Sequence, residues 1–342
     1  YGIWFDSSSN NILTNITANS NDYYGIYLSS SSNNNQLTNI TANSNMMEGI
    51  YLSSSSDNNQ LRSNTINSNG KAGIYLSGSN NTLTDNNIWN CTSTIYGCLH
   101  LSNADNNTVS GGTINLSQAY GVYADSGSDN NNISVNVYQS TRADAYVAGS
   151  DNRINGTFHS GVGIEMAGAN KILYLHGDSS FTGYGINVTA NSVTLDFAGY
   201  SITGDDSGED YGVYVSGYND TTIKNGGIYD FYEGIYLENN ENNNITNITA
   251  DSSSDDGIYL KSSSNNTLQS IKANENYIGI YLDSSSNNTL QDITADSNGV
   301  LGIYLDSSSN NNTLTNITAD SNGVLGIYLS SSSNNTLIDL SL

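Results

Sequence analysis

The sequence predicts an all-β solenoid, and three observations carry that prediction. A phrase beginning Gly-Ile-Tyr-Leu and running through serines, paired asparagines and Leu-Thr-Asn-Ile-Thr-Ala recurs along the chain. It opens at Gly25, Gly49, Gly73, Gly234, Gly257, Gly279, Gly302 and Gly326, mostly about 22 to 24 residues apart, a period of the solenoid type. Looser copies start at Gly2, Gly97, Gly121, Gly163, Gly185 and Gly212, with Ala145-Tyr146-Val147 in the remaining slot. Proline is absent from all 342 residues, as expected where nearly every backbone N–H donates to a neighbouring strand.

Each phrase reads as one coil. In Gly49-Ile50-Tyr51-Leu52, strand alternation sends Ile50 and Leu52 to one face and Tyr51 to the other. Ser53 to Ser56 with Asp57, Asn58 and Asn59 form a turn, because Asn and Asp tolerate left-handed backbone and bond their own main chain. A second strand such as Thr82-Leu83-Thr84 contributes one inward Leu. A bend at Asn39 leads to a third, Ile40-Thr41-Ala42, with Ile40 and Ala42 inward. Glycine reopens the cycle where a Cβ would obstruct the corner. Three short strands and three corners make one turn of a single-stranded parallel β-helix, with coils about 4.8 Å apart. Residues 1–342 then form one continuous solenoid of about 14 to 15 coils. A leucine-rich horseshoe is excluded by the missing L-x-x-L-x-L spacing, and disorder by Ile and Leu recurring in phase.

Composition fits a thin core. Hydrophobic residues are 36%, and 8 Lys plus Arg face 32 Asp plus Glu for a formal charge of −24. Such a surface repels nucleic-acid phosphates and anionic headgroups, so neither is an expected partner. No apolar run spans a bilayer, and no basic and apolar leader opens the chain. Tyr1 starts inside a repeat, the reading of a mature or excised segment. Cys91 and Cys98 lie in one irregular coil, and either a local disulfide suited to an oxidising compartment or two buried thiols fits them.

The G-I-Y-L, S-S-N-N-T-L and N-I-T-A units resemble the parallel β-helix repeat proteins, carbohydrate-binding and sugar-hydrolase solenoids that include NosD-like proteins. The resemblance implies a right-handed parallel β-helix and an archaeal or bacterial surface glycoprotein. Residues 186–200, with Tyr211-Gly212-Val213-Tyr214-Val215 and Thr222-Ile223-Lys224-Asn225-Gly226, are similar to the opening coils of such proteins. They suggest sub-blocks 1–168 and 169–342.

Repetition turns residues into columns. Tyr27, Tyr51, Tyr75, Tyr123, Tyr214, Tyr236, Tyr259, Tyr281, Tyr304 and Tyr328 form an outward aromatic stripe, suited to cross-strand stacking or to sugar and protein contact. The pairs Asn80/Asn81, Asn106/Asn107, Asn265/Asn266, Asn287/Asn288 and Asn334/Asn335 are expected to place one amide inward in a hydrogen-bonded ladder. N-x-Ser/Thr sequons occur at Asn15, Asn39, Asn80, Asn90, Asn106, Asn115, Asn132, Asn155, Asn187, Asn219, Asn244, Asn247, Asn265, Asn287, Asn311, Asn316 and Asn334, as suits an exported chain carrying N-glycans. The bends Asn39 and Asn316 are better acceptors than the Asn-Asn corners. Asp283 aligns with Asp306 and Asp296 with Asp320, a solvated acidic face in preference to a calcium site, since no Asp-rich calcium loop is present.

An enzyme is not the expected outcome; if one is present, it is a polysaccharide lyase, hydrolase or epimerase. The dense acid group Asp205, Asp206, Glu209 and Asp210 reads as an acidic turn, without the Gly-His-Gly and Arg-Ile-Lys elements of polygalacturonase-type hydrolases. His100, His159 and His176 are scattered, so copper handling has no support and no metal site is assigned. Arg142, Arg153 and Lys171, around Asp144 and Asp151, are the weaker place for a lyase or epimerase site. Thr41, Thr249, Thr294 and Thr318 give an interrupted array, a weak match to an ice or surface binder. No capping helix is visible at either end, so copies stacking end to end are the expected partners. The leading expectation is an extracellular, glycosylated structural solenoid of a surface fibre, sheath or envelope. The alternative is a β-helix that binds or acts on an extracellular polysaccharide.

Overall fold

A computed structural model describes residues 1–342, all in strands, turns and bends with no helix. No helix long and apolar enough to cross a membrane is present. The chain divides into two compact units, residues 1–165 and 166–342. Together they contain 15 strands of the Gly-Ile-Tyr type, one for each coil.

In the first unit, Ile3–Asp6, Ile26–Ser29, Ile50–Leu52, Ile74–Leu76, Gly97–Leu101, Tyr120–Ala124 and Ala143–Val147 pair in parallel, each with the strand one coil on. The register is kept throughout: Ile26 meets Ile50 and Ile50 meets Ile74, while Tyr27, Tyr51 and Tyr75 stand side by side. The second unit repeats this from Tyr184–Val188 to Leu325–Leu329. The remaining strands of each coil, such as Gln36–Thr38 and Thr41–Asn43, pair in a second parallel sheet.

Alternation accounts for the core. Ile26, Leu28, Leu37, Ile40 and Ala42 are fully buried within one coil, as are Ile258, Leu260 and Leu268 in the other unit. The corner between second and third strands is a single left-handed residue, Asn39 in one unit and Asn247 in the other, with φ near 53° and 54°. From Thr222 onward that residue bends the chain without interrupting the ladder, so Asn244–Asp251 runs on as one strand.

The Asn-Asn corners divide their labour. The first asparagine is left-handed, with φ 58° at both Asn80 and Asn265, a conformation Asn adopts at low cost. The second is buried and joins a ladder: Asn266 N and Nδ2 donate to Asn288 Oδ1 at 2.8 and 3.1 Å, and Asn288 N donates to Asn312 Oδ1 at 2.8 Å. Serine runs supply a parallel column, with Ser263 N donating to Ser285 Oγ and Ser285 N to Ser309 Oγ. These ladders satisfy corner N–H groups that no strand pairs.

A tyrosine-walled groove as the candidate functional site

The site is built at the start of the Gly-Ile-Tyr strand. Its glycine is set by a close approach: a Cβ on Gly25 would lie 2.6 Å from the Gly49 carbonyl oxygen and 2.8 Å from Asn45 Nδ2. The residue before that glycine lies beside the tyrosine column instead. Tyr24, which precedes Gly25, has its ring 5.0 Å from those of both Tyr27 and Tyr51. The same slot holds Glu48 in the next coil and then Ala72; in the coil after that the register places Gly97 there, with Tyr96 one residue earlier.

The column itself is closely stacked. Tyr51 and Tyr75 lie 4.6 Å apart and within 3° of parallel. In the next coil His100 replaces tyrosine, in register with Tyr75 and Tyr123. Its ring is edge-on to Tyr75 at 4.6 Å and stacks on Tyr96 at 4.5 Å. Tyr24, Tyr51, Tyr75, Tyr96 and Tyr123 thus border a groove of about 430 Å³, with Glu48, Lys71, His100 and Asp125 among them.

The polar groups divide by how well they are satisfied. Asp125 accepts hydrogen bonds from Ser102 Oγ (2.8 Å), Asn103 N (3.0 Å), Gly127 N (3.1 Å) and Ser128 Oγ (2.8 Å). Burial opposes its ionisation, but those donors outweigh it and its pKa is lowered. Glu48 has the opposite balance: burial raises its pKa and the Lys71 charge only partly offsets this. Burial also lowers His100 to about 4, against the pull of Asp125, so the imidazole is neutral at pH 7. Tyr24 is raised to about 12, by burial first and by Glu48 second. Glu48 Oε2 and His100 Nδ1 are buried and have no hydrogen-bond partner, so both retain unused bonding capacity at the groove floor.

The second unit carries a larger open groove of about 690 Å³ bordered by Tyr174, Tyr200 and Tyr229. Its carboxylate, Asp196, is occupied: Lys224 Nζ lies 3.3 Å away, and Asn225 Nδ2 and Ala198 N donate to it. Size alone therefore does not make it the better site.

The residues singled out from sequence fall in several places. Along the tyrosine column, Tyr259, Tyr281, Tyr304 and Tyr328 stand in register with ring centroids 4.7 to 5.1 Å apart. Tyr146 also belongs to it, stacked 4.6 Å from Tyr123. Cys91 and Cys98 form a disulfide with Cα atoms 5.4 Å apart. Among the sequons, Asn15, Asn39, Asn80, Asn106, Asn244, Asn247, Asn265, Asn287, Asn311, Asn316 and Asn334 are exposed. Asn90, Asn115, Asn132, Asn155, Asn187 and Asn219 are half-buried.

Asp205 and Asp206 are exposed, and Asp205 Oδ1 accepts from Ser207 N and Oγ in a local turn. Asp283 accepts from Tyr259 Oη at 3.3 Å, and Asp296 Oδ1 accepts Asp320 N at 2.8 Å, taking a ladder role. Arg142 lies over the Tyr120 ring, whereas Asp144 is buried and bonds Ser160 N, so these two do not converge. His159 stacks on Tyr138. Lys272 stands between Thr249 and Thr294 and interrupts that threonine array. Glu48 and His100 were not assigned a site from sequence. The available signal was a charged residue directly before the repeat's glycine, and a histidine in a tyrosine slot.

The stacked coils define a parallel β-helix repeat protein. Residues 179–341 match the family model described as right handed beta helix region, and residues 1–168 match that of the periplasmic copper-binding protein NosD. No curated protein is similar enough in sequence to match. Similar solved structures include the periplasmic alginate epimerase AlgG, 13% identical over 91% of this chain and 77% of that one, with a TM-score of 0.44. The A-module of the Azotobacter vinelandii mannuronan C-5 epimerase AlgE6 is 12% identical over 92% and 90%, with a TM-score of 0.47. The catalytic domain of a GH87 α-1,3-glucanase is 14% identical over 95% and 64%, with a TM-score of 0.40.

The residues do not fit copper. Copper sites draw on imidazole, thiolate and thioether ligands. Here Cys91 and Cys98 are joined to each other, and the His100 ring is enclosed by tyrosines. The one group of three His, Cys, Asp or Glu side chains close enough to share an ion is Glu233, Asp255 and Asp256, all oxygen donors.

Proposed function

We propose that this chain is a carbohydrate-binding β-helix working outside the cytoplasm, and that the groove around Glu48 and His100 holds a segment of an extended polysaccharide. The observation that carries the reading is the composition of the groove. Five tyrosines border two carboxylates, a lysine and a neutral imidazole. Flat rings suit the apolar faces of sugars, and the interleaved polar groups suit their hydroxyls. The periodic column extends the same surface beyond one sugar unit. A formal charge of −24 favours a neutral glycan over a polyuronate. The periplasmic family matched by residues 1–168 and the Cys91–Cys98 disulfide support a compartment outside the cytoplasm.

Calorimetric titration against soluble neutral polysaccharides tests this. Replacing Tyr51 and Tyr75 together with Ala is expected to weaken binding about tenfold, near 1.4 kcal/mol. Unchanged affinity in that variant, or no binding by the wild-type protein to any neutral glycan, overturns the reading.

A further inference from the structure

We propose that Glu233, Asp255 and Asp256 form a calcium site on the face of the second unit. Glu233 and Asp256 occupy the slot directly before the repeat's glycine in successive coils, preceding Gly234 and Gly257. Parallel register stacks them: Ile235 pairs with Ile258, which sets Glu233 opposite Asp256 two residues earlier. Asp255 adds a third carboxylate, and one oxygen from each lies within 4.8 Å of the others.

Crowding alone would not make this a site, since acidic groups gather on many surfaces. The second observation is that two of the three are buried and unsatisfied. Asp256 is 3% exposed and Glu233 5% exposed, and Asp256 Oδ1 and Glu233 Oε2 have no hydrogen-bond partner. Ladders complete many of the buried polar corners, as where Asn266 Nδ2 donates to Asn288 Oδ1. Here two buried carboxylate oxygens lack any donor, an arrangement costly to leave unpaired. The nearby Lys261 is engaged by Glu238, its Nζ 3.1 Å from Oε1. Burial, reinforced by the neighbouring acids, raises the pKa of both Glu233 and Asp256, and the Lys261 charge only partly offsets this at Glu233, leaving both short of countercharge.

A divalent ion would supply that countercharge. Three carboxylates present only hard oxygen donors, which suit calcium or magnesium and not copper. The donors come from two strands and are not arranged as an octahedral cage, which favours calcium, whose coordination is flexible and of higher number. Water completes the shell on the exposed side of Asp255, the half-buried member.

Calcium added to the chelator-treated protein tests the proposal, read by thermal unfolding and by tyrosine-sensitised terbium luminescence with calcium as competitor. The expected result is a calcium-dependent rise in melting temperature and terbium emission that calcium displaces, with magnesium at least tenfold weaker. Asp256→Asn and Glu233→Gln should each weaken calcium binding at least tenfold, while Asp205→Asn, in the exposed acidic turn, should leave it unchanged. Should either buried variant fail to fold, Asp255→Asn at the half-buried position reads the same site. Melting and luminescence unmoved by millimolar calcium, or equal calcium affinity in wild type and Asp255→Asn, overturn the proposal.

Discussion

The Glu48 region of the first unit and the Glu233–Asp256 region of the second use the same slot of the same repeat and reach different chemistry. In the first, a lone carboxylate sits between Tyr24 and Ala72 in the column, with Lys71 beside it and tyrosines around it. In the second, two carboxylates occupy successive coils and a third flanks them. One acid among aromatic rings makes a polar point in a sugar-sized groove. Two stacked acids without a cation make an ion site. The scaffold is common to both, and the difference lies in which residue occupies one variable position and what occupies it a coil away.

The sharpest way to break the comparison is to build the second region in the first. Ala72 is 1% exposed and follows Glu48 in the column. Lys71 holds the position that Asp255 holds in the second unit, so Lys71→Asp with Ala72→Asp should reproduce the three-carboxylate group, and is expected to lose about 3 kcal/mol in chelator, where the buried carboxylates repel. Urea unfolding should show calcium restoring much of that loss. A variant indifferent to calcium would mean that column spacing alone does not define the site.

A smaller effect, equal in both regions, is expected from the ladder beneath them. Asn69 Oδ1 accepts Asn45 N at 3.0 Å, and Asn276 Oδ1 accepts Ser253 N at 2.7 Å. Asn69→Ala and Asn276→Ala each leave a buried donor unpaired and should cost about 2 kcal/mol. Chemical denaturation of the two variants measures this, and a large inequality would show that the two scaffolds are not equivalent.

The smallest effect separates the regions by pH. His100 titrates near 4 in the folded protein, below its ordinary 6.5. The unfolded chain therefore takes up the proton first as pH falls. The stability contributed by the neutral ring is fully present above pH 6.5 and is lost as pH drops toward 4. Thermal melts of His100→Gln should show a flatter decline over that window, while Asn276→Ala in the second unit, which removes no titratable group, leaves the slope unchanged.

How much of this was legible beforehand follows from what repetition averages. Ile50 and Leu52 inward, Tyr51 outward, and the Asn81 and Asn266 corners were readable because each recurs in phase and strand alternation assigns its face. Glu48, Glu233 and Asp256 were not, because the residue before the glycine varies from coil to coil and resembles a link. Only the corner geometry turns it outward beside the tyrosines, and only packing shows that its oxygens lack donors. Asp205 to Asp210, an acidic turn in sequence and in structure, show the converse. Carboxylates dense in sequence diverge in an exposed turn, whereas Glu233 and Asp256, 23 positions apart, meet across one coil. In a solenoid, proximity follows the period.

The most direct test of the central claim is a crossed titration, with neutral polysaccharide and calcium each measured against the Tyr51→Ala/Tyr75→Ala double variant and Asp256→Asn. The account predicts that the tyrosine variant loses glycan affinity and keeps its calcium-induced rise in melting temperature. Asp256→Asn should do the reverse. Both ligands lost together in either variant, or neither ligand affected by its own variant, would contradict it.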